Sequence, residues 1–213
     1  MEILEPYKII SSGSHGNSVL IFDRILVDVG VPYSLIKPYI KQIQIITWSH
    51  AHSDHFNKQT IKKILFERPG IRVAICQHEY ERALECGARN IDILEHGKWY
   101  DYGQFHISTF KTYHDIPSNG WRCRSDKYKV FFATDTYTLK GITAKNYDLY
   151  MLECNYDADT VWDIIREKEE RGEFAHQRGS INSHLSRQQA QKFVLDNAGE
   201  NYEFVMLHQS KSS

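Results

Sequence analysis

Short apolar, β-prone runs stand at Tyr7–Ile10, Val19–Phe22 and Ile25–Gly30, and the stretches between them are rich in Ser, Gly, Asn and Asp. Such runs separated by turn residues predict short strands, so residues 7–30 read as a hairpin unit turning at Asp23-Arg24. Residues 33–41 carry a short helical pattern, weakened in its middle by Pro38, which lacks an amide hydrogen. Ile43–Trp48 is β-branched and apolar and predicts a strand. Residues 58–68 place Ile61, Ile64 and Leu65 at helical spacing and end at Pro69-Gly70. A strand over Ile71–Cys76 and a helix over Glu79–Cys86, closed by Gly87, follow.

Further along, strands are predicted at Phe105–Phe110, Lys129–Ala133, Leu149–Glu153 and Phe204–Leu207. Helices are predicted at Asp159–Arg171 and Arg187–Asn197, with Ser186 placed to cap the second. The segment Arg171–Asn182, rich in Gly, Arg, Gln and Ser, reads as a loop, either an ordered lid over a site or a mobile connection. Strand-rich halves that each finish in helices predict an α/β (α+β) fold in which helices cover the outer faces of sheets. No repeat, low-complexity tract or interdomain linker interrupts the chain, so one domain is expected over residues 1–213.

Composition narrows the function more than the fold. With 41% hydrophobic and 25% charged residues, the chain can bury a core without staples. A net charge of −1 excludes bulk electrostatic binding of a polyanion, so any contact with nucleic acid or nucleotide must come from a local patch or a metal. Cys76, Cys86, Cys123 and Cys154 form no CxxC pair, which argues against a zinc ribbon and against a disulfide framework. Met1–Pro6 lacks the basic and apolar regions of a signal peptide, and no apolar run approaches the ~18 residues that span a bilayer. A cytoplasmic protein with free thiols and no membrane partner is the expectation.

Histidine is where the chain departs from the ordinary. His50-Ala51-His52-Ser53-Asp54-His55 puts four metal-ligand side chains into six positions, directly after a predicted apolar strand. Histidines at i and i+2 share a face. In the loop beyond the strand they can meet one ion, while the carboxylate and the last histidine turn toward a second. Imidazole nitrogens suit zinc and other first-row metals, and a carboxylate fills out a borderline-hard site. Three more candidates follow predicted strand ends: His114 (with Asp115), Asp135 and His208. Side chains presented from rigid strand ends suit a pre-organised site.

This order of motifs resembles the metallo-β-lactamase superfamily over nearly the whole chain. Within it, the WalJ/YycJ-type exonuclease and phosphodiesterase branch is the most similar. The resemblance rests on Ser12-Gly13-Ser14-His15-Gly16-Asn17, Asp28-Val29-Gly30, His114-Asp115, Thr134-Asp135-Thr136, Glu153-Cys154-Asn155-Tyr156-Asp157, Ser183-His184-Leu185-Ser186 and His208-Gln209-Ser210-Lys211. It implies a four-layer αββα sandwich with two divalent ions, zinc or manganese first and iron also compatible, at one edge of facing sheets. By the resemblance, one ion takes His50, His52 and His114, the other takes Asp54, His55 and His208, and Asp135 bridges them. Asp28 resembles the aspartate that orients the cluster loop. His184 resembles the non-ligand histidine beside the scissile phosphate, and Asp54 is implied to orient the nucleophile besides binding metal. His15 departs from the pattern, standing where relatives carry a small residue, so it is expected to crowd the site or to touch substrate. Gln209 is a second departure, and the lack of a longer carboxy-terminal segment implies fewer duplex-specific contacts.

The expected activity is a metal-activated water attacking a phosphodiester, with nucleic acid or a nucleotide as substrate partner and a homodimer permitted. Arg122, Arg124, Lys127, Lys129, Arg171 and Arg178 are expected around the mouth, and Trp121, Tyr137, Tyr156 and Trp162 as aromatics able to stack a base. The first reading is a nuclease on DNA or RNA. The alternative is a phosphodiesterase opening a cyclic nucleotide, as phage enzymes of this fold do. A thioester or β-lactam hydrolase and a non-catalytic scaffold complete the alternatives.

Overall fold

The computed structural model describes residues 5–175 and 177–209. Met1–Leu4 of the amino-terminal reading, and Ser210 and Lys211 of the terminal motif, lie outside them. The strands are β1 (Tyr7–Ser11), β2 (Ser18–Ile21), β3 (Ile25–Val27), β4 (Ile45–Thr47), β5 (Arg72–Ile75), β6 (Asn90–Ile93), β7 (Trp99–Asp101), β8 (Phe105–Thr112), β9 (Ser118–Ser125), β10 (Lys129–Ala133), β11 (Leu149–Glu153) and β12 (Glu203–Leu207). The helices among the described residues are α1 (Tyr33–Ile36), α2 (Lys58–Glu67), α3 (Tyr80–Glu85), α4 (Val161–Glu170), α5 (Gln177–Ser183) and α6 (Arg187–Asn197).

The strands form two mixed sheets, one ordered β1-β2-β3-β4-β5-β6 and the other β12-β11-β10-β9-β8-β7. In the first sheet β1–β3 run antiparallel and β3–β6 parallel, with α1, α2 and α3 supplying the crossovers that parallel pairing demands. In the second, β7–β10 are antiparallel and β10–β12 parallel. Apolar side chains from both sheets meet in one central core, among them Ile21, Val27, Ile45, Phe105, Trp121, Phe132 and Met151. A second core lies between the first sheet and its helices, around Trp48, Ile61, Ile64 and Val73. A third joins the second sheet to α6 through Phe131, Tyr150, Ala190 and Phe193. Helix, sheet, sheet and helix are thus four successive layers, the αββα arrangement expected from the sequence.

The elements that differ from the sequence expectation do so for local reasons. The helix predicted over 33–41 splits at Pro38 into α1 and a 3₁₀ turn over Lys37–Tyr39, because proline has no hydrogen to continue the ladder. The strands β6, β7 and β9 were not predicted. β9 opens on Ser118-Asn119-Gly120, which reads as a turn, yet Trp121 and Cys123 alternate inward while Arg122 lies over the Phe110 ring, 4.5 Å from its centroid. Gly120 makes room for that ring, since a Cβ there would stand 2.2 Å from Phe110. The loop predicted over Arg171–Asn182 contains most of α5, which a Gly-Ser composition disguised. Helix α6 keeps its predicted bounds, and Ser186 caps it with Gln189 in a reciprocal capping box.

Candidate metal centre

The two sheets deliver their carboxyl-terminal strand ends to one edge of the sandwich. There β3 ends on Asp28, β4 runs into the histidine cluster, and β8, β10, β11 and β12 lead into His114, Asp135, Glu153 and His208. Asp28, Asp135 and His208 all lie at positive φ, at 59°, 49° and 46°. Each strand therefore breaks its pleat to turn a side chain inward, a costly conformation that clusters where surrounding structure enforces it.

The loop after β4 is fixed by backbone contacts. The Asn17 amide donates to the Asp54 carbonyl at 2.6 Å, the Val29 amide to the His55 carbonyl at 2.9 Å, and the Gly30 amide to the Asn17 carbonyl at 3.0 Å. Gly30 is required by close approach, because a Cβ on it would stand 1.7 Å from the Asp54 carbonyl oxygen. Gly16 is required as well: its φ is +136° and a Cβ would meet the Gly30 carbonyl at 2.5 Å.

Two groups of side chains converge on this frame. His50 Nε2 lies 3.1 Å from His52 Nδ1, and His52 Nδ1 lies 3.3 Å from His114 Nε2. A tetrahedral ion about 2.05 Å from each nitrogen would hold them about 3.3 Å apart, so these spacings match the edges of a zinc-type site. In the second group, Asp54 Oδ2 lies 3.4 Å from both His55 Nε2 and His208 Nε2. Asp135 stands between the groups, with Oδ2 2.5 Å from His55 Nε2 and 3.9 Å from His50 Nε2, and Oδ1 3.5 Å from His208 Nδ1. All seven sequence-predicted ligands are therefore gathered in one place. Asp115, exposed, lies beside the first group, 3.1 Å from His114 Nε2.

The donor set fits divalent cations. Asp135 Oδ2 is sealed from solvent, and no donor among the described residues is correctly directed at it. His55 Nδ1 bonds Asp28 Oδ2 at 2.8 Å, so in the neutral ring the Nε2 lone pair faces the Asp135 carboxylate. Two lone pairs in that position need a cation between them. Burial alone would lower the His55 pKa, but Asp135 and Asp28 on its two sides outweigh it and hold the ring well above 6.5. A proton and a metal ion thus compete for one position. Burial, reinforced by the neighbouring His55, pushes His50 down to about 2, which keeps it neutral with a lone pair to offer.

Asp28, expected to orient the cluster loop, and several residues without a predicted role hold the candidate ligands. Asp28 Oδ1 accepts from the Ser49 amide at 2.7 Å and the Ser49 hydroxyl at 2.9 Å, and Ser49 Oγ lies 2.9 Å from His50 Nδ1. The Asn17 amide group donates to Asp54 Oδ2 at 3.2 Å, and the Asn155 amide group lies 3.2 Å from His208 Nδ1. Glu153 is fully buried, accepting from the Thr136 amide at 2.5 Å and standing 2.7 Å from His184 Nδ1. Asp28, Ser49 and Asn155 lie one or two residues past a strand, Glu153 ends one and Asn17 precedes one.

Asp28→Asn tests this support directly. Asparagine tolerates positive φ and keeps the carbonyl that Ser49 needs. Its NH₂ then faces His55 Nδ1, which must become the acceptor and move its hydrogen to Nε2, away from metal duty. Metal affinity, measured by competition with a chromophoric chelator, is expected to fall about 10–100-fold. Unchanged affinity would remove Asp28 from the site.

His184 is also at the centre. Its Nδ1 lies 3.1 Å from Asp135 Oδ1, and its ring stacks on His208 with centroids 5.2 Å apart. Burial opposes its protonation, but hydrogen bonds to Asp135 and Glu153 prevail and push its pKa up to about 10. The two carboxylates thus favour the charged form of the His184 ring. Helix α5 closes this side, where the Ser183 carbonyl lies 3.2 Å from His114 Nδ1.

Other sequence expectations are corrected. Trp121 is fully buried in the central core and cannot stack a base. Tyr156 packs against the α4 cluster, whereas Tyr137 is 45% exposed and stands beside Tyr113, next to His114. Three of the basic residues expected around the mouth lie at the opposite end of their strands. Lys129 pairs with Arg124 at the start of β10, and Lys127 lies in the turn between those strands. Asp135 follows the other end of β10, so about 15–20 Å of strand separates that cluster from the candidate ligands. Arg178 is paired with Glu169 at 2.6 Å and Arg171 with Glu173 at 3.5 Å. A cleft of about 710 Å³ opens at that far end too, but its Arg72, Asp92 and Tyr102 are bonded to one another. Among the described residues no helix is long and apolar enough to cross a membrane.

Comparison with known proteins places this geometry. The family model described as Beta-lactamase superfamily domain matches residues 15–151, a span that holds His50 to Asp135 and ends before Glu153, His184 and His208. No curated protein sequence matches significantly. Among solved structures, the metallo-beta-lactamase fold protein YhfI from Bacillus subtilis matches with a TM-score of 0.74 at 17% identity, over 95% of this chain and 85% of that one. The short form of human tRNase Z matches with a TM-score of 0.67 at 16% identity, over 96% and 92%. Zn²⁺-bound PqqB from Methylobacterium extorquens gives 0.66 at 9%, over 95% and 88%. At these identities the likeness is one of fold.

Proposed function

Starting from the membership of this chain in the β-lactamase superfamily, whose members are usually metal-dependent hydrolases, we propose that it hydrolyses phosphodiesters at a two-metal centre. The candidate ligands are His50, His52 and His114 for one ion and Asp54, His55 and His208 for the other, with Asp135 between. Divalent ions held there would lower the pKa of a bound water and offset charge on phosphoryl oxygens. The observation that carries the choice of phosphodiester is the placement of His184, a non-ligand histidine on the wall of the cavity beside the candidate centre, with Nδ1 2.7 Å from Glu153 Oε2 and 3.1 Å from Asp135 Oδ1. The attacking water loses a proton to solvent as its oxygen bonds to phosphorus, the ester P–O bond breaks, and the departing alkoxide takes the proton that His184 holds. Asp54, one carboxylate oxygen of which accepts from Asn17, aligns the attacking water.

A nuclease acting on DNA or RNA is the first reading, supported by the WalJ/YycJ-type motifs and by likeness in fold to the short form of human tRNase Z. The position of Arg124, Lys127 and Lys129 far from the candidate centre favours a second reading, a small nucleotide phosphodiesterase, because a polyanion groove needs cations along it. The deciding screen loads the protein with zinc, manganese or iron. It offers bis-4-nitrophenyl phosphate, single-stranded and duplex DNA, RNA and cyclic nucleotides, with a β-lactam and a thioester as controls. Metal-dependent turnover confined to phosphodiesters is expected; turnover of the β-lactam or thioester alone would overturn the proposal.

A further inference from the structure

Beside the candidate centre lies a cavity of about 520 Å³, within the range of small-molecule clefts. His184 and His208 form its inner wall, and the turn Ser12–His15 with Gln209 forms its rim. Its described lining contains no lysine, arginine, aspartate or glutamate, only hydroxyls, amides, backbone and imidazoles. The turn is not a loose flap. Ser12 Oγ accepts from the His208 amide at 2.8 Å, and the Gly13 amide donates to Asn17 Oδ1 at 2.8 Å. His15 therefore sits on a rim tied by Ser12 to His208 and by Asn17 to Asp54.

His184 faces the reacting phosphate, and beyond it the lining offers a second phosphate no lysine or arginine to offset its charge, so desolvating one there is costly. A neutral, flat, polyhydroxylic group would not be. Ser12, having accepted from the backbone, still has its own O–H to donate, and Ser14 and Gln209 offer further donors and acceptors. An exposed imidazole supplies a flat face for a base.

We propose that this cavity binds a nucleoside unit esterified to the scissile phosphate, and that His15 is a specificity-determining residue for it. The inference rests on the phosphodiesterase reading and names its substrate class: one reacting phosphate with an uncharged nucleoside beside it, and no neighbouring phosphate held in the cavity. His15, a departure from the motif that carried the family resemblance, thus gains a role.

The test compares esters that share a leaving group. Thymidine 3′- and 5′-(4-nitrophenyl phosphate) are set against methyl 4-nitrophenyl phosphate, using metal-loaded wild type and His15→Ala. Calorimetric binding of thymidine 3′- and 5′-monophosphate is measured against methyl phosphate on the same proteins. At least one nucleoside ester is expected to exceed the methyl ester in kcat/KM by tenfold or more. His15→Ala is expected to lower that ester by about tenfold, leave the methyl ester within twofold, and weaken the matching monophosphate in parallel. Equal turnover of nucleoside and methyl esters, or equal loss of both in the variant, would overturn the subsite while leaving the phosphodiesterase reading intact. If no ester is cleaved but a thymidine monophosphate binds better than methyl phosphate and His15→Ala weakens it, the subsite stands and the hydrolytic reading falls. A log–log salt dependence of that binding steeper than about one counterion would show a second phosphate contact and also overturn the proposal.

Discussion

Asp135→Ala is expected to lower kcat/KM on a phosphodiester by at least about 10³-fold, roughly 4 kcal/mol of transition-state stabilisation, and to bring metal content after dialysis below two ions per chain. The reason is position. Its Oδ2 is 2.5 Å from His55 and its Oδ1 is 3.5 Å from His208, while His50 of the other group lies 3.9 Å from Oδ2. Among the described residues no other carboxylate reaches both groups: Asp54 touches only the His55 and His208 side. Metal ligation and charge balance would fail together, since His50 and His55 are buried and need the carboxylate to hold cations beside them. Folding needs a control, because Asp135 sits at φ 49°, where alanine costs roughly 1–2 kcal/mol. Asp135→Asn tolerates that backbone and keeps the volume, so it should retain the wild-type circular dichroism spectrum and still lose metal by mass spectrometry. Two bound ions and full activity in the folded asparagine variant would end the bridging assignment.

How far the sequence reached depends on which physical signal each residue carries. The candidate ligands were legible as a set because chemistry that rare in a short stretch survives without structural context: His50 to His55 is conspicuous as a string, and His114, Asp135 and His208 each follow an apolar run. Helices α2 and α6 were legible because period and caps agree, with Asn57 and Ser186 both accepting from the third residue of their helices. Strand β9 was not, because its Ser-Asn-Gly start carries a turn signal and only pairing with β8 and β10 overrides it. The basic residues were misplaced for a different reason. Proximity along the chain to Asp135 says nothing about which end of a strand they occupy, and the register of β9 on β10 puts Arg124 and Lys129 at the far one. Glu153 escaped because a buried carboxylate looks like any strand-end acid until His184, 31 residues later, is folded onto it.

The His184–Glu153 pair leads to the second large effect. His184→Ala is expected to lower kcat about 10²–10⁴-fold on a diester whose leaving group is an alkoxide, with metal content at the wild-type level. On a 4-nitrophenyl ester the loss is expected to be under about tenfold, because that group departs as a stable anion and needs little help from an acid. Glu153→Gln extends the test without opening a cavity. The Thr136 amide holds one oxygen of Glu153 at 2.5 Å, so in the variant the amide NH₂ is left facing His184 Nδ1. The ring then keeps Asp135 but loses one of its two carboxylate partners and part of the stabilisation of its charged form, and a smaller but equally leaving-group-selective fall in kcat should follow. The alternative is written in the same geometry: Asp135, Glu153, His184 and His208 also lie close enough to hold an ion by themselves. If His184 were a ligand, His184→Ala would shed metal and slow both esters alike. Leaving-group selectivity with metal retained is the result that separates an acid from a ligand, and it follows from a ring whose Nδ1 is committed to carboxylates and whose other nitrogen is left to face the substrate.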